Sequence, residues 1–295
     1  MKIDGVFSGG GVKAYAFLGA LQSLEEHNLE LERVAGTSAG AIIASFVAAG
    51  YGYADIKRLL DQLNLKQFAD PPALSKIIPF SKWLFLYFQM GLYKGNVLEN
   101  WLYHQLAAKR VYTFNDIRPE YLKVVVSDLS LGKLIVLPDD LKRIYGMDPK
   151  RFPVATAIRM SAGFPYFFMP KRLPGKKFRK SIIVDGGLLS NFPLWIFEKD
   201  GNKDERPLLG IKLSEFVEMK EQKINHAFDM FHALFSTMKQ AHDARYISKT
   251  EKENIIFIPV NKIGATELNV SKQMRQQLID AGYVYANRFL SHWPK

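Results

Sequence analysis

The 295-residue chain contains no cysteine. That absence excludes disulfides, thiolate metal sites and a cysteine nucleophile, and it suits a reducing compartment. The N-terminus, MKIDGVFSGGG, enters a strand at once and lacks an apolar signal core with a small-residue cleavage site, so a cytoplasmic location is expected. Long apolar runs are missing too. The most aromatic stretch, IIPFSKWLFLYFQMGLY (77–93), is broken by Pro79, Ser81, Lys82 and Gln89. It falls short of the roughly 20 apolar residues that a spanning helix needs. Three readings stay open for it: a buried helix, an interfacial or lid segment facing lipid, and a dimer contact. Oligomeric state is not legible.

Acidic residues are outnumbered. Lys+Arg total 40 against 29 Asp+Glu, a net charge of +11, which makes an anionic partner or surface plausible. KRLPGKKFRK (171–180) holds six basic residues and no acid. Such a run is either a solvated loop or a contact for anionic membrane lipid. No helix-turn-helix, RNP-like strand or zinc finger accompanies it, so no nucleic-acid partner is expected.

What is present is an ordinary globular composition, 48% apolar and 23% charged. Short apolar strands alternate with amphipathic helices. KIDGVFS (2–8), LERVA (31–35), YLKVVVSDLS (121–130), KLIVLP (133–138), SIIVD (181–185), PLLGIKL (207–213) and NIIFIPV (254–260) read as strands. Helices are expected over 12–28, from Ser38 to Gly50, over 53–63, within 149–163, and over 224–246 and 272–290. The alternation predicts an α/β protein with a mostly parallel central sheet and helices on both faces. No repeat or low-complexity linker divides the chain, so one domain over 1–295 is expected.

GTSAG (36–40) lies between a strand and a buried helix. A tight turn is one reading. The other is a nucleophile elbow, in which a strained strand-to-helix turn exposes the Ser38 hydroxyl and Gly36 and Gly40 keep the backbone clear. SGGGVKAYAFLG (8–19) follows the first strand and opens the first helix. Gly9, Gly11 and Ala14 satisfy the spacing of a dinucleotide site. The acidic residue that would hold a ribose at the end of the second strand is absent, because that strand ends in AGTSAG. A glycine-lined helix N-terminus still offers N–H groups to a developing negative charge.

A serine also needs a base. None of the six histidines, His27, His104, His226, His232, His242 and His292, stands in a strand-end loop beside small residues. Asp185 is better placed. SIIVDGGLLSNFP runs a β-branched strand into Asp185, Gly186 and Gly187, which reads either as an Asp-Gly turn or as a carboxylate brought to the sheet edge.

Together, GGGVKA (9–14), GTSAG (36–40) and DGG (185–187) resemble the patatin-like phospholipase family in order, flanks and spacing. SDLSLGKLIVL (127–137) is similar to the family's central hairpin. AIRMSAGFPYFF (157–168) is similar to its Ser-x-x-x-Pro block. The likeness spans about residues 3–195, with Ala14 and Met160 as departures at motif positions. The resemblance implies a patatin-like three-layer sandwich and hydrolysis of a lipid fatty-acyl ester by a Ser–Asp dyad. Ser38 is then the nucleophile and Asp185 the base, with Gly9, Gly10, Gly11 and Ala39 as oxyanion donors. It implies no cofactor and no metal. An acyltransferase using the same acyl-enzyme, or a silent lipid-binding protein on the same fold, would share most of these features.

Overall fold

The computed structural model describes residues 1–72, 86–175, 180–198, 206–214, 224–247, 252–260 and 269–293. Ten strands are present among them: β1 (Lys2–Phe7), β2 (Glu30–Thr37), β3 (Gly91–Tyr93), β4 (Leu122–Asp128), β5 (Lys133–Leu137), β6 (Tyr166–Phe168), β7 (Lys171–Pro174), β8 (Lys180–Asp185), β9 (Leu208–Ser214) and β10 (Ile255–Pro259). The helices are α1 (Tyr15–Glu26), α2 (Ala39–Ala48), α3 (Tyr53–Asp61), α4 (Asn96–Ala108), α5 (Asp140–Tyr145), α6 (Val154–Ser161), α7 (Ala227–Ile247) and α8 (Lys272–Leu290). The central sheet has the order β10-β9-β1-β2-β4-β8-β7, with β5 also paired to β4, while β3 and β6 form a separate ribbon.

The five strands from β10 to β4 are parallel. In β1 every residue but Lys2 is buried, as expected for a parallel strand covered on both faces. Ile3 and Phe7 join the large core that contains α1, α2 and α8. Val6 and Ala35 face a second, smaller cluster with Phe192, Leu194, Phe197 and Ile255. Alternating residues of one strand therefore feed two cores, the signature of a sheet between two layers.

The antiparallel part bears on the site. β4 takes β2 along its first half, Val125 facing Thr37, and β8 along its second half, Val126 facing Asp185. β8 runs against β4, so the carboxyl ends of β2 and β8 meet nose to nose. SIIVD reads locally like one more strand of the parallel set. Its reversed direction follows from the β7–β8 hairpin.

Helix α8 closes the structure against α1 at backbone distance. A Cβ on Gly282 would lie 1.8 Å from the Ala16 carbonyl oxygen, and one on Gly19 would lie 1.9 Å from the Ile279 carbonyl oxygen. Helices α4 and α5 are not among the expected elements, although Asp140 opens α5 and Gly146, at φ 68°, stops it. Residues 77–85 of the aromatic stretch lie outside the described residues. In its described part Tyr87 and Phe88 are 80% and 65% exposed, unlike a buried helix.

Candidate active site

Ser38 follows the last residue of β2 and caps α2, with φ 55° and ψ −126°. For a residue with a Cβ this is a sparsely populated conformation, costing about 1–3 kcal/mol, and it persists only where the surroundings impose it. Here they do. A Cβ on Gly36 would fall 2.5 Å from the Gly40 backbone, and one on Gly40 would fall 2.4 Å from the Ser8 carbonyl oxygen. The two glycines of GTSAG thus let β2, α2 and β1 approach until the turn has no other path. The Ser38 N–H donates to Ser161 Oγ at 2.8 Å, and that hydroxyl donates to the Val125 carbonyl at 2.6 Å. Ser161, at the end of α6, ties the elbow to β4.

Ser38 Oγ donates to Asp185 Oδ2 at 2.7 Å. The two residues are 147 positions apart and meet because β2 and β8 end head to head. The other carboxylate oxygen, Oδ1, accepts from the Gly187 N–H at 2.7 Å, and the Asp185 N–H donates to the Gly163 carbonyl at 3.0 Å. Gly186 is required by crowding, since its Cβ would sit 2.2 Å from the Val125 carbonyl oxygen. Burial pushes the Asp185 carboxyl up to about 6. Hydrogen bonds from Ser38 and Gly187 and the Lys239 charge pull the other way. The desolvation of a fully enclosed carboxylate outweighs them. A carboxylate held this way binds a proton more tightly than one with an ordinary value near 4.

The glycine loop lies against the pair: a Cβ on Gly9 would come within 3.3 Å of Ser38 Cβ. The Gly9 N–H donates to the Asn191 carbonyl at 2.9 Å. Gly10 caps and Gly11 opens the short 3-10 turn Gly11–Ala14 that leads into α1, and Ala39 opens α2. Amides at these helix starts have no carbonyl one turn earlier to bond. Asn191 is buried and also reaches Asp243 of α7 through Nδ2 at 3.2 Å, and Asp243 pairs with Lys212. Neither Asn191 nor Asp243 carries a motif that sequence reading could have flagged. Ser161 lies in the quoted Ser-x-x-x-Pro block, although nothing in that block gives it a contact.

None of the described histidine side chains bonds the pair. His27 Nδ1 faces the Ser23 carbonyl and the His104 ring packs on Tyr103. The basic run is a hairpin. Lys171 is paired with Glu99, Arg172 and Lys180 are exposed, and 176–179 lie outside the described residues. Because β8 runs toward Asp185, its Lys180 end lies about 17 Å along the strand from the carboxylate.

Residues 5–198 match the family described as patatin-like phospholipase. The chain belongs to the patatin-like phospholipase family. Uncharacterized protein YqhO of Bacillus subtilis (strain 168) is 44% identical over 294 residues, covering 99% of both chains. An uncharacterized protein of Acanthamoeba polyphaga mimivirus is 24% identical, covering 93% of this chain and 89% of its own. Among solved structures, VipD from Legionella pneumophila aligns with a TM-score of 0.57 and 21% identity, over 98% of this chain and 66% of that one. The type III effector ExoU aligns with a TM-score of 0.51 and 16% identity, over 99% of this chain and 53% of that one. The chain therefore spans about two thirds of VipD and half of ExoU, and the likeness is one of fold. No helix among the described residues is long and apolar enough to cross a membrane.

Ser161→Ala releases the Ser38 amide and is expected to lower kcat roughly 10- to 100-fold with KM little changed, because the geometry at Ser38 is loosened while binding groups stay. Steady-state kinetics on a chromogenic ester checks this. An unchanged kcat would mean that the glycine contacts hold the elbow unaided.

Proposed function

We propose that the chain is a lipid acyl hydrolase that cleaves fatty-acyl esters through a Ser38 acyl-enzyme with Asp185 as the base. The observation that carries this reading is the 2.7 Å hydrogen bond from the strained elbow serine to a buried carboxylate raised to about 6. Membership of the patatin-like phospholipase family supports the lipid ester as substrate class.

In the proposed reaction Ser38 Oγ attacks the ester carbonyl carbon as its proton passes to Asp185 Oδ2. The tetrahedral oxyanion is received by amides of Gly10, Gly11 and Ala39, and Ala39 is the residue after the nucleophile, the position that donates in elbow hydrolases. Collapse expels the alcohol, which takes the proton from Asp185. A water then gives its proton to the same carboxylate and attacks the acyl-enzyme. The second collapse releases the fatty acid and returns the proton to Ser38.

The direct test is labelling by a fluorophosphonate together with release of a chromogenic fatty-acyl ester. Wild type should label and turn over, and Ser38→Ala should do neither. Wild type that does neither would sink the reading in favour of a silent lipid-binding protein. The pH dependence follows from the base. Asp185 must be ionised to accept a proton, so kcat/KM should be flat above about pH 7. It should fall tenfold per pH unit below about 6. A limb centred near 4 would show that burial does not set the working base.

A further inference from the structure

Helix α7 has two apolar faces. One is turned inward: Phe235 packs on Phe164 with centroids 4.8 Å apart, and Phe231 packs edge-on against Tyr166 at 4.7 Å. A Cβ on Gly187 would lie 3.9 Å from Phe235 Cζ, so this aromatic cluster adjoins the Asp185 carboxylate. The other face is open. Met230, Leu234 and Met238 repeat every four residues and are 46–58% exposed. At 100° per residue this stripe lies beside the inward Phe231–Phe235 face and not opposite it. Asp229, Ser236 and Gln240 occupy the polar side. Tyr166, 42% exposed at φ 63°, continues the apolar surface from Phe231. Its strand β6 pairs with β3, which begins three residues after Phe88. The exposed Tyr87 and Phe88 therefore belong to the same region.

We propose that the Met230–Leu234–Met238 stripe of α7, flanked by Tyr166, Tyr87 and Phe88, is the surface by which the protein docks on an anionic lipid bilayer. A contiguous exposed apolar strip of this kind marks an interaction surface. Three observations choose a bilayer as its occupant. The stripe borders the aromatic cluster whose Phe235 reaches Gly187 beside Asp185, so an acyl chain leaving a membrane here meets aromatic surface next to the dyad. The side chains are long and unbranched at Cβ, suited to entering the acyl boundary. The chain carries a net charge of +11, complementary to anionic headgroups. This inference rests on the acyl-hydrolase reading for its purpose but not for its test.

The test uses the full chain carrying Ser38→Ala, so that substrate is not consumed, in flotation with vesicles of equal parts phosphatidylcholine and phosphatidylglycerol. Met230→Asp, Leu234→Asp and Met238→Asp together should lower partitioning roughly 10²-fold. Leu234→Trp alone should raise it severalfold, a gain that a misfolded variant would not show. On the active background the triple variant should turn over a monomeric short-chain ester within about twofold of wild type and lose turnover on vesicles. Unchanged partitioning of both variants would overturn the proposal. So would a wild-type dimer that ignores vesicles and dissociates in the triple variant, which would assign the stripe to a second copy. Absence of monomeric ester turnover in wild type would instead sink the hydrolase reading and leave the flotation result standing.

Discussion

Asp185→Asn is expected to lower ester turnover roughly 10³- to 10⁴-fold and, in the same molecule, to stabilise the fold. The two effects share one cause. The rise of the Asp185 carboxyl from 3.8 to about 6 corresponds to about 3 kcal/mol of unfavourable charge burial. The sign follows from linkage. The folded state holds this proton more tightly than the unfolded chain, so stability is favoured below pH 4 and is lost as pH rises to about 6 and beyond. Asparagine carries no charge to bury. It still accepts from the Gly187 N–H, and its amide can donate to Ser38 Oγ. About 2 kcal/mol of net stabilisation at pH 8 is a fair expectation, a rise in melting temperature of roughly 4–8 °C. The gain should vanish near pH 4, where the wild-type carboxyl is neutral. Melting curves of both proteins at pH 4, 6 and 8 check it. A gain independent of pH would mean that charge burial is not the source, and the account of the strengthened base would fall with it. Sites that store an unfavourable charge for chemistry commonly show this exchange of stability for activity.

Gly282→Ala is expected to destabilise the protein by about 3 kcal/mol or more, a fall in melting temperature of roughly 10 °C. Helix propensity alone predicts the opposite sign, a gain of about 1 kcal/mol for replacing a mid-helix glycine by alanine. Packing should win because the added carbon would lie 1.8 Å from the Ala16 carbonyl oxygen, a backbone atom with no rotamer to change. The reciprocal contact at Gly19 leaves α8 no room to slide along α1. Relief requires lifting α8 away, which uncovers Leu278, Ile279, Ala286 and Leu290, all buried. Because α1 continues the glycine loop through Gly11–Ala14, a shift there should also reduce turnover. Urea unfolding of Gly282→Ala beside wild type decides the matter, and a variant as stable as wild type would show that the helices separate easily.

Much of this architecture could be read from local pattern. The closing helix is expected over 272–290 and observed at Lys272–Leu290. The strand expected at 133–138 is observed at Lys133–Leu137, and that expected at 254–260 at Ile255–Pro259. Apolar periodicity is a property of neighbours in the chain, and the faces it prescribes survive folding. The strand–small-turn–helix at 36–40 and the aspartate at the end of a β-branched strand are legible for the same reason. What the neighbours leave open is direction and approach. Nothing in SIIVD says that β8 runs against β4, yet that reversal brings Asp185 to Ser38 across 147 residues.

Other site features depend on groups that converge only when the chain is folded. Ser161 has no meaning in the sequence until its hydroxyl stands between the Ser38 amide and the Val125 carbonyl. The Gly9 N–H is met by the carbonyl of Asn191, far along the chain. The strength of the base is collective in the same way. A carboxylate near 4 becomes one near 6 only when many apolar atoms from distant segments have excluded water around it. The sequence by itself determined most of the central strands and the helices beside them, their apolar faces and the residue types able to react. The tertiary structure alone decided which strand reverses, which residues converge on Ser38 and how dry the aspartate becomes, because orientation and desolvation are properties of the packed assembly and not of any local run of residues.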